Sequence, residues 1–298
     1  MTVFLFPGQG AQEPAMCDAV RRHPQFHERY QTICDLVQTD VLRELAAGRA
    51  EMLNQNRFSS LLTVLVGTLA LELFKQHSDV EPAACAGYSV GQWAAMHAAG
   101  MIGYEAMIAV LVERARLMDE YSASEPGGMC AVIGLKEAEL EALLERLRLD
   151  GFPVFISNYN CLGQYSIAGT LPAIGQAMES IAALRPKKLL QLPVSGAWHC
   201  PLLKTAESGF ERYLQGVALG EPRIPVIDNV TGESLPVDGD LLRRSLSRHL
   251  SHPVQWSRGI KQLIAGGCTQ FIEFGHGSQL SKFGFFIDRD ADFRGWRA

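Results

Sequence analysis

Ser89 sits in Gly87-Tyr88-Ser89-Val90-Gly91, a G-x-S-x-G spacing that could serve a serine nucleophile. The spacing has a steric reason. A nucleophilic serine works on a sharp strand-to-helix turn, where a Cβ two positions before or after it would crowd the backbone. Such a turn exposes the hydroxyl at a helix N-terminus, whose dipole and free N–H groups favour a developing negative charge. The Val90 N–H is then the natural donor to an oxyanion. A pentapeptide recurs by chance in many chains, so its surroundings matter. Ala83–Gly87 reads as a strand and the stretch from Val90 to Ala99 as a helix, which is the context the motif needs.

A serine hydroxyl is a weak nucleophile and needs an adjacent base, most often histidine. Of eight histidines, His199 stands apart, in the small-residue loop Pro193-Val194-Ser195-Gly196-Ala197-Trp198-His199-Cys200-Pro201. Loops at domain junctions are where clefts form and catalytic groups gather. A packed structural histidine is the plain alternative, and the serine motif is what favours a base. His97, on the elbow helix, and His23, His27 and His77, on polar helix faces, are expected to be solvated surface. Phe6-Pro7-Gly8-Gln9-Gly10-Ala11-Gln12 is a second glycine-rich turn after a strand. It has neither dinucleotide nor P-loop spacing, and its best use is to bring a backbone N–H toward Ser89 as a second oxyanion donor.

These residues need a frame. A strand at Val3–Phe6, helices through 12–39, an apolar helix from Leu61 to Gln76, and the strand and helix around Ser89 alternate as a parallel sheet covered by helices would. From Gly127 the texture changes. Strand 129–134, helix 136–148, strands 154–158 and 166–169, helix 171–183 and strand 188–193 give the βαββαβ order of a ferredoxin-like unit. The expected fold is α/β: a large hydrolase-like domain with a parallel sheet, residues 1–126 and 195–298, with a small ferredoxin-like domain, residues 127–194, inserted in it.

Composition bounds the rest. The 298 residues are 47% hydrophobic and 20% charged, ordinary for a globular chain. No apolar run approaches the roughly 20 residues of a bilayer span, and Met1–Pro7 lacks the basic start of a signal peptide, so neither membrane nor secretion is expected. Seven scattered cysteines with no CxxC pair point to a reduced, cytoplasmic protein without a structural zinc site. A net charge of −5 argues against nucleic acid. Arg185-Pro186-Lys187-Lys188 is a local basic stretch in this acidic chain. It would suit an acidic partner, or a solvated helix end equally well.

Seven ordered segments resemble the malonyl-CoA:acyl-carrier-protein transacylase family, which includes free-standing acyltransferases of polyketide assembly lines. Gly8-Gln9-Gly10-Ala11-Gln12 is similar to its GQGxQ, Gly87–Gly91 to GHSxG, and Arg114-Ala115-Arg116-Leu117-Met118 to R-G-(K/R)-x-M. Asn158–Gln164 is similar to NxNxxxQ, Ser195–His199 to SGAFH, Asp228–Thr231 to the NVT stretch, and His252–Trp256 to NPVxW. The resemblance covers nearly the whole chain. It implies Ser89 as nucleophile, His199 as base, and Gln9 and Val90 as oxyanion donors. It also implies Arg114 as the clamp on a malonyl carboxylate, and Gln255 beside a histidine that a backbone carbonyl orients. Tyr88, Asn160, Asn229 and Trp198 would be acyl-pocket residues. The implied partners are acyl-CoA and an acyl-carrier protein, with no bound cofactor or metal and a monomeric enzyme. On its own, Arg114 reads only as a helix-surface charge.

Three residues depart from the family pattern: Tyr88 for a histidine, Gln92 for a frequent glutamate, and His276 for the proline of a GPG turn. Val90 and Gly196–His199 look like malonyl-selective members, whereas Tyr88 and Trp198 leave room for a substituted malonyl delivered by another carrier. An editing hydrolase of the same fold would use the same serine and histidine but has no use for a buried cation at Arg114. A scaffold without catalysis would need neither.

Overall fold

The computed structural model describes residues 1–296. The first strand, β1 (Thr2–Phe6), is buried along its whole length, as a strand covered on both faces of a parallel sheet must be. After it come α1 (Phe26–Val37), α2 (Val41–Ala46), α3 (Asn56–Lys75), β2 (Ala84–Gly87), α4 (Gly91–Ala98) and α5 (Tyr104–Ser124). The segment before α1 is a string of turns rather than a helix, with i to i−3 bonds such as Met16 N to Glu13 O and Val20 N to Cys17 O. Pro14 and Pro24 explain it, since proline lacks the N–H a helix interior needs and disfavours helix in the residue before it.

The small unit is β3 (Gly127–Ile133), α6 (Glu137–Leu149), β4 (Val154–Cys161), β5 (Gln164–Thr170), α7 (Leu171–Ala183) and β6 (Lys188–Gln191). Its four strands are antiparallel in the order β4-β5-β3-β6, the arrangement of a ferredoxin-like motif. It has a core of its own, in which Val132, Ile167 and Val154 meet Leu140 and Leu144 of α6 and Ile174 and Ile181 of α7.

The chain then adds α8 (Lys204–Leu214), β7 (Val226–Ile227), α9 (Gly239–Arg248), α10 (Trp256–Ala265), β8 (Gln270–Glu273), α11 (Gln279–Ile287) and β9 (Asp292–Gly295). The large sheet runs β7-β2-β1-β8-β9, all parallel, with Phe6 opposite Gly87 and Leu5 opposite Glu273. The small sheet is stitched to the rest of the protein where Tyr159 N donates to Val254 O at 2.9 Å and Val254 N to Ser157 O at 2.9 Å, Val254 lying in the loop before α10. β4 bulges twice next to this seam. Bulges of this kind re-aim side chains beside functional clefts.

The helix α3 corrects the reading of the apolar runs. At 20 residues it is long and apolar enough to cross a bilayer by length and composition alone, yet 83% of its apolar window is buried inside the protein. It is the central helix of the core, packed on α4 and α5. All seven cysteines are free thiols.

Candidate active site

The turn between β2 and α4 leaves no room at its two glycines. A Cβ on Gly87 would run into the Gly91 carbonyl, and one on Gly91 into the Phe6 carbonyl. The turn forces Ser89 to a φ of 51°, a left-handed conformation that costs a non-glycine residue about 1 kcal/mol or more. Asn229 holds it there. Its Oδ1 accepts from Ser89 N at 2.8 Å, while its Nδ2 donates to Gly87 O at 2.6 Å and to Gln92 Oε1 at 2.6 Å. Gln92 Oε1 also accepts from Asn229 N at 2.7 Å, and Gln92 Nε2 is buried without a partner among the described residues. The sequence reading placed Asn229 against the acyl group. The structure instead uses both ends of its side chain to clamp the elbow from behind, and it does not face the cavity.

His199, also at positive φ (58°), brings its Nε2 to 2.7 Å from Ser89 Oγ. Its Nδ1 lies 2.8 Å from the carbonyl oxygen of His249, which can only accept. Nδ1 therefore carries the ring proton and Nε2 presents its lone pair to the serine hydroxyl, the tautomer a general base requires. His199 is only 3% exposed. Burial, with the charge of Arg114 adding to it, pushes its pKa down to about 3, while the His249 carbonyl pulls the other way. The ring is thus neutral throughout the physiological range.

Ser89 and His199 open on a cavity of about 180 Å³ between the two sheets. Tyr88, Trp198 and Phe283 line it from the large unit, Asn158, Asn160, Ser166, Met129 and Ala131 from strands of the small one, and Leu192–Ser195 from the segment after β6. Tyr88 donates its hydroxyl to Asn160 Oδ1 at 2.6 Å, and Asn160 Nδ2 lies 3.4 Å from Ser166 Oγ. Burial raises the Tyr88 phenol well above its ordinary range, so it stays a neutral donor. The Gln9 loop is pinned by its side chain, whose Nε2 donates to Ser59 Oγ at 2.6 Å and Asn56 Oδ1 at 3.1 Å. Among the described residues neither the Gln9 N–H nor the Val90 N–H is engaged by another protein group. Val90 follows Ser89 directly, and Gln9 lines the same cavity as Ser89.

Arg114, on α5, is 1% exposed and makes no hydrogen bond or ion pair among the described residues; its Nε and Nη2 are buried and unpartnered. Its charge acts on both His199 and His249. Burial lowers its pKa to about 10, so it remains a cation at neutral pH.

Gln255 donates its N–H to Asn229 O at 2.7 Å as the chain enters α10, and the backbone carbonyl that orients the His199 ring is that of His249. Sequence reasoning missed His249 because any residue type supplies a carbonyl, and its ring shows no pattern. Nor are the other histidines all solvated: His23 is buried in the turn before α1, and His97 Nδ1 lies 2.9 Å from Ile102 O. His276 reaches Glu13, with Nε2 at 3.1 Å from Oε1. Among the described residues no three His, Cys, Asp or Glu side chains converge as a metal-ligand set.

The acyl transferase domain family matches residues 3–284. The polyketide biosynthesis protein ThaF of Burkholderia thailandensis is 34% identical over 281 residues, 94% of this chain but only 24% of that protein's length. The malonyl CoA-acyl carrier protein transacylase of Escherichia coli O157:H7 is 31% identical over 280 residues, covering 93% of this chain and 90% of the relative. Among solved structures, a malonyl-transacylase in complex with its type II polyketide-synthase acyl-carrier protein superposes with a TM-score of 0.93. The two are 26% identical, with 99% of this chain and 96% of that one covered.

Proposed function

The chain belongs to the acyl transferase domain family, and from that premise we propose that it moves a malonyl-type group from coenzyme A to the phosphopantetheine thiol of an acyl-carrier protein through an ester on Ser89. The observation that carries this is the hydrogen-bonded Ser89–His199 pair at 2.7 Å, with a buried Arg114 guanidinium whose Nε and Nη2 are unpartnered among the described residues and whose charge acts on His199. Ser89 Oγ attacks the thioester carbonyl as its proton passes to His199 Nε2, and the Gln9 and Val90 N–H groups receive the oxyanion. Collapse breaks the C–S bond, and the thiol leaves with the proton from His199. The carrier's thiol then reverses the sequence. The full-length likeness to the Escherichia coli transacylase and the solved carrier complex support fatty-acid or polyketide synthesis as the setting, and the seven free thiols suit a reducing cytoplasm.

Incubation with radiolabelled malonyl-CoA, with and without a carrier protein, tests the reading. A transferase labels itself and then its carrier. Release of free malonate without carrier labelling would establish an editing hydrolase instead, and no labelling at all a scaffold.

His199→Ala should slow acylation by roughly 10²- to 10⁴-fold, the usual worth of a positioned base. Because the folded protein holds His199 down to about 3, its protonation removes the base only as pH falls toward that value. kcat/KM, which reports the free enzyme, should therefore show no inflection near the ordinary histidine value of about 6.5. The limb in kcat should lie higher, since a carboxylate on Arg114 cancels one cause of the depression. A kcat/KM inflection near 6.5 that disappears in His199→Ala would contradict this.

The basic stretch enters the same reading as a landing site for an acidic carrier. Arg185, Lys187 and Lys188 are exposed at the start of β6, whose far end runs into the cavity-lining residues Leu192–Ser195. That separation, roughly 3.3 Å for each strand residue, suits an extended phosphopantetheine arm. Lys187→Glu/Lys188→Glu should weaken transfer to the carrier several-fold at low salt and leave self-acylation from malonyl-CoA unchanged. Equal carrier transfer in the variant and the parent would remove this stretch from the docking surface.

A further inference from the structure

On the acyltransferase reading, we propose that the His249 side chain is a positioning residue for catalysis: its imidazole face, stacked on His199, stabilises the imidazolium that His199 becomes when it takes the Ser89 proton. His249 is 0% exposed, and neither its Nδ1 nor its Nε2 has a hydrogen-bond partner among the described residues. A buried imidazole whose nitrogens bond nothing loses its hydration without compensation, and such a group calls for an explanation. What the ring does meet is the face of His199, with centroids 4.9 Å apart and planes inclined by 24°. The same residue's carbonyl accepts from His199 Nδ1 at 2.8 Å. His249 thus addresses the base twice, in the ring plane through its backbone and on the ring face through its side chain.

The chemistry supplies the need. Among the described residues His199 has no carboxylate partner, and both its burial and the Arg114 charge oppose its protonated form. Yet that form must exist while Ser89 Oγ bonds to the thioester carbon, the carbonyl electron pair moves to oxygen and the serine proton sits on Nε2. It ends when the C–S bond breaks and the thiolate takes that proton. An aromatic face attracts a cation within about 6 Å of its centroid. The interaction with neutral imidazole is weaker, so it grows as the transition state forms and speeds the step. Arg114 from α5 and His199 itself are the charged and titratable groups whose fields act on the His249 ring, and burial first, then those fields, keep it neutral.

Two substitutions separate the ring's face from its polarity. His249→Phe keeps an aromatic face and the backbone carbonyl, whereas His249→Leu keeps the carbonyl and apolar bulk but removes the face. Labelling of Ser89 by a fluorophosphonate reads the Ser89–His199 pair with no demand on the acyl pocket, and a second arm measures acylation by malonyl-CoA. The Phe variant should label within about threefold of the parent and the Leu variant roughly three- to thirtyfold more slowly, in both arms. If circular dichroism shows that the Leu variant does not fold, His249→Gln takes its place with the same expectation. A parent protein that labels with fluorophosphonate but takes no malonyl would overturn the malonyl assignment, and the fluorophosphonate arm would still decide the role of His249. Leu labelling as fast as the parent, or Phe slowed as much as Leu, overturns the proposal.

Discussion

Ser89→Ala should yield a folded protein that carries no acyl group, with transfer reduced on the order of 10⁶-fold, the scale seen when a serine nucleophile is removed. The elbow does not depend on the hydroxyl. Its shape comes from the two glycines and from Asn229, which accepts the backbone N–H of residue 89 at 2.8 Å. Alanine keeps the Cβ, and so also keeps the strain of φ 51°. What is lost is one hydrogen bond to His199, worth about 1 kcal/mol. Ser89→Gly should unfold at a higher temperature than Ser89→Ala, because glycine adopts that φ without penalty. Intact-mass measurement after exposure to malonyl-CoA is the check. An acyl adduct at normal stoichiometry in Ser89→Ala would transfer the role to another residue.

The parts of this site legible in the sequence are those where backbone geometry dictates residue type. Gly87 and Gly91 are required because the chain approaches itself too closely for a side chain, so the elbow announces itself. His199 could be read from its loop because a base near a serine has few alternatives. The elements of the small unit are legible because its two helices carry apolar residues at helical spacing, Leu140, Leu143, Leu144 and Leu147 in α6 and Ala173, Ile174, Ala177 and Ile181 in α7. β7 has only two residues, too short to carry a period, and of the 12–39 stretch only Phe26–Val37 is helical, the part before it being turns because prolines override its helical composition. The deeper misses concern residues whose function is carried by a backbone atom or by a partner distant in sequence. Asn229 is 140 positions from the N–H it accepts, and the His249 carbonyl is 50 from the ring it orients. Nothing local marks either. Arg114 on α5 looks like any helix-surface arginine until the fold shows that it is buried.

That burial makes Arg114 the residue whose replacement should change substrate choice most. A malonyl thioester differs from an acetyl one by a terminal carboxylate, and burying that charge unpaired is costly. A buried guanidinium without a counter-ion is equally costly, and here Nε and Nη2 have no partner among the described residues. Asp119 acts on it only through its field, and burial raises that carboxyl itself to about 6. The two costs cancel if the acyl carboxylate meets the guanidinium, whose planar fork can bind both oxygens as a lysine ammonium cannot. Removing one partner of such a pair costs roughly 2–5 kcal/mol, or about thirty- to several-thousandfold. Arg114→Ala should lose malonyl transfer by that factor while taking acetyl as well as before or better, and Arg114→Lys should recover only part of the loss. A second consequence follows from charge alone. Arg114 is one of the two causes holding His199 down, so its removal should move the acid limb of acetyl transfer to higher pH. Competition between malonyl-CoA and acetyl-CoA, read by intact mass across pH, measures both effects together. A variant that still prefers malonyl would free Arg114 from the carboxylate, and an uncharged acyl group cleared by hydrolysis would become the better account of this pocket.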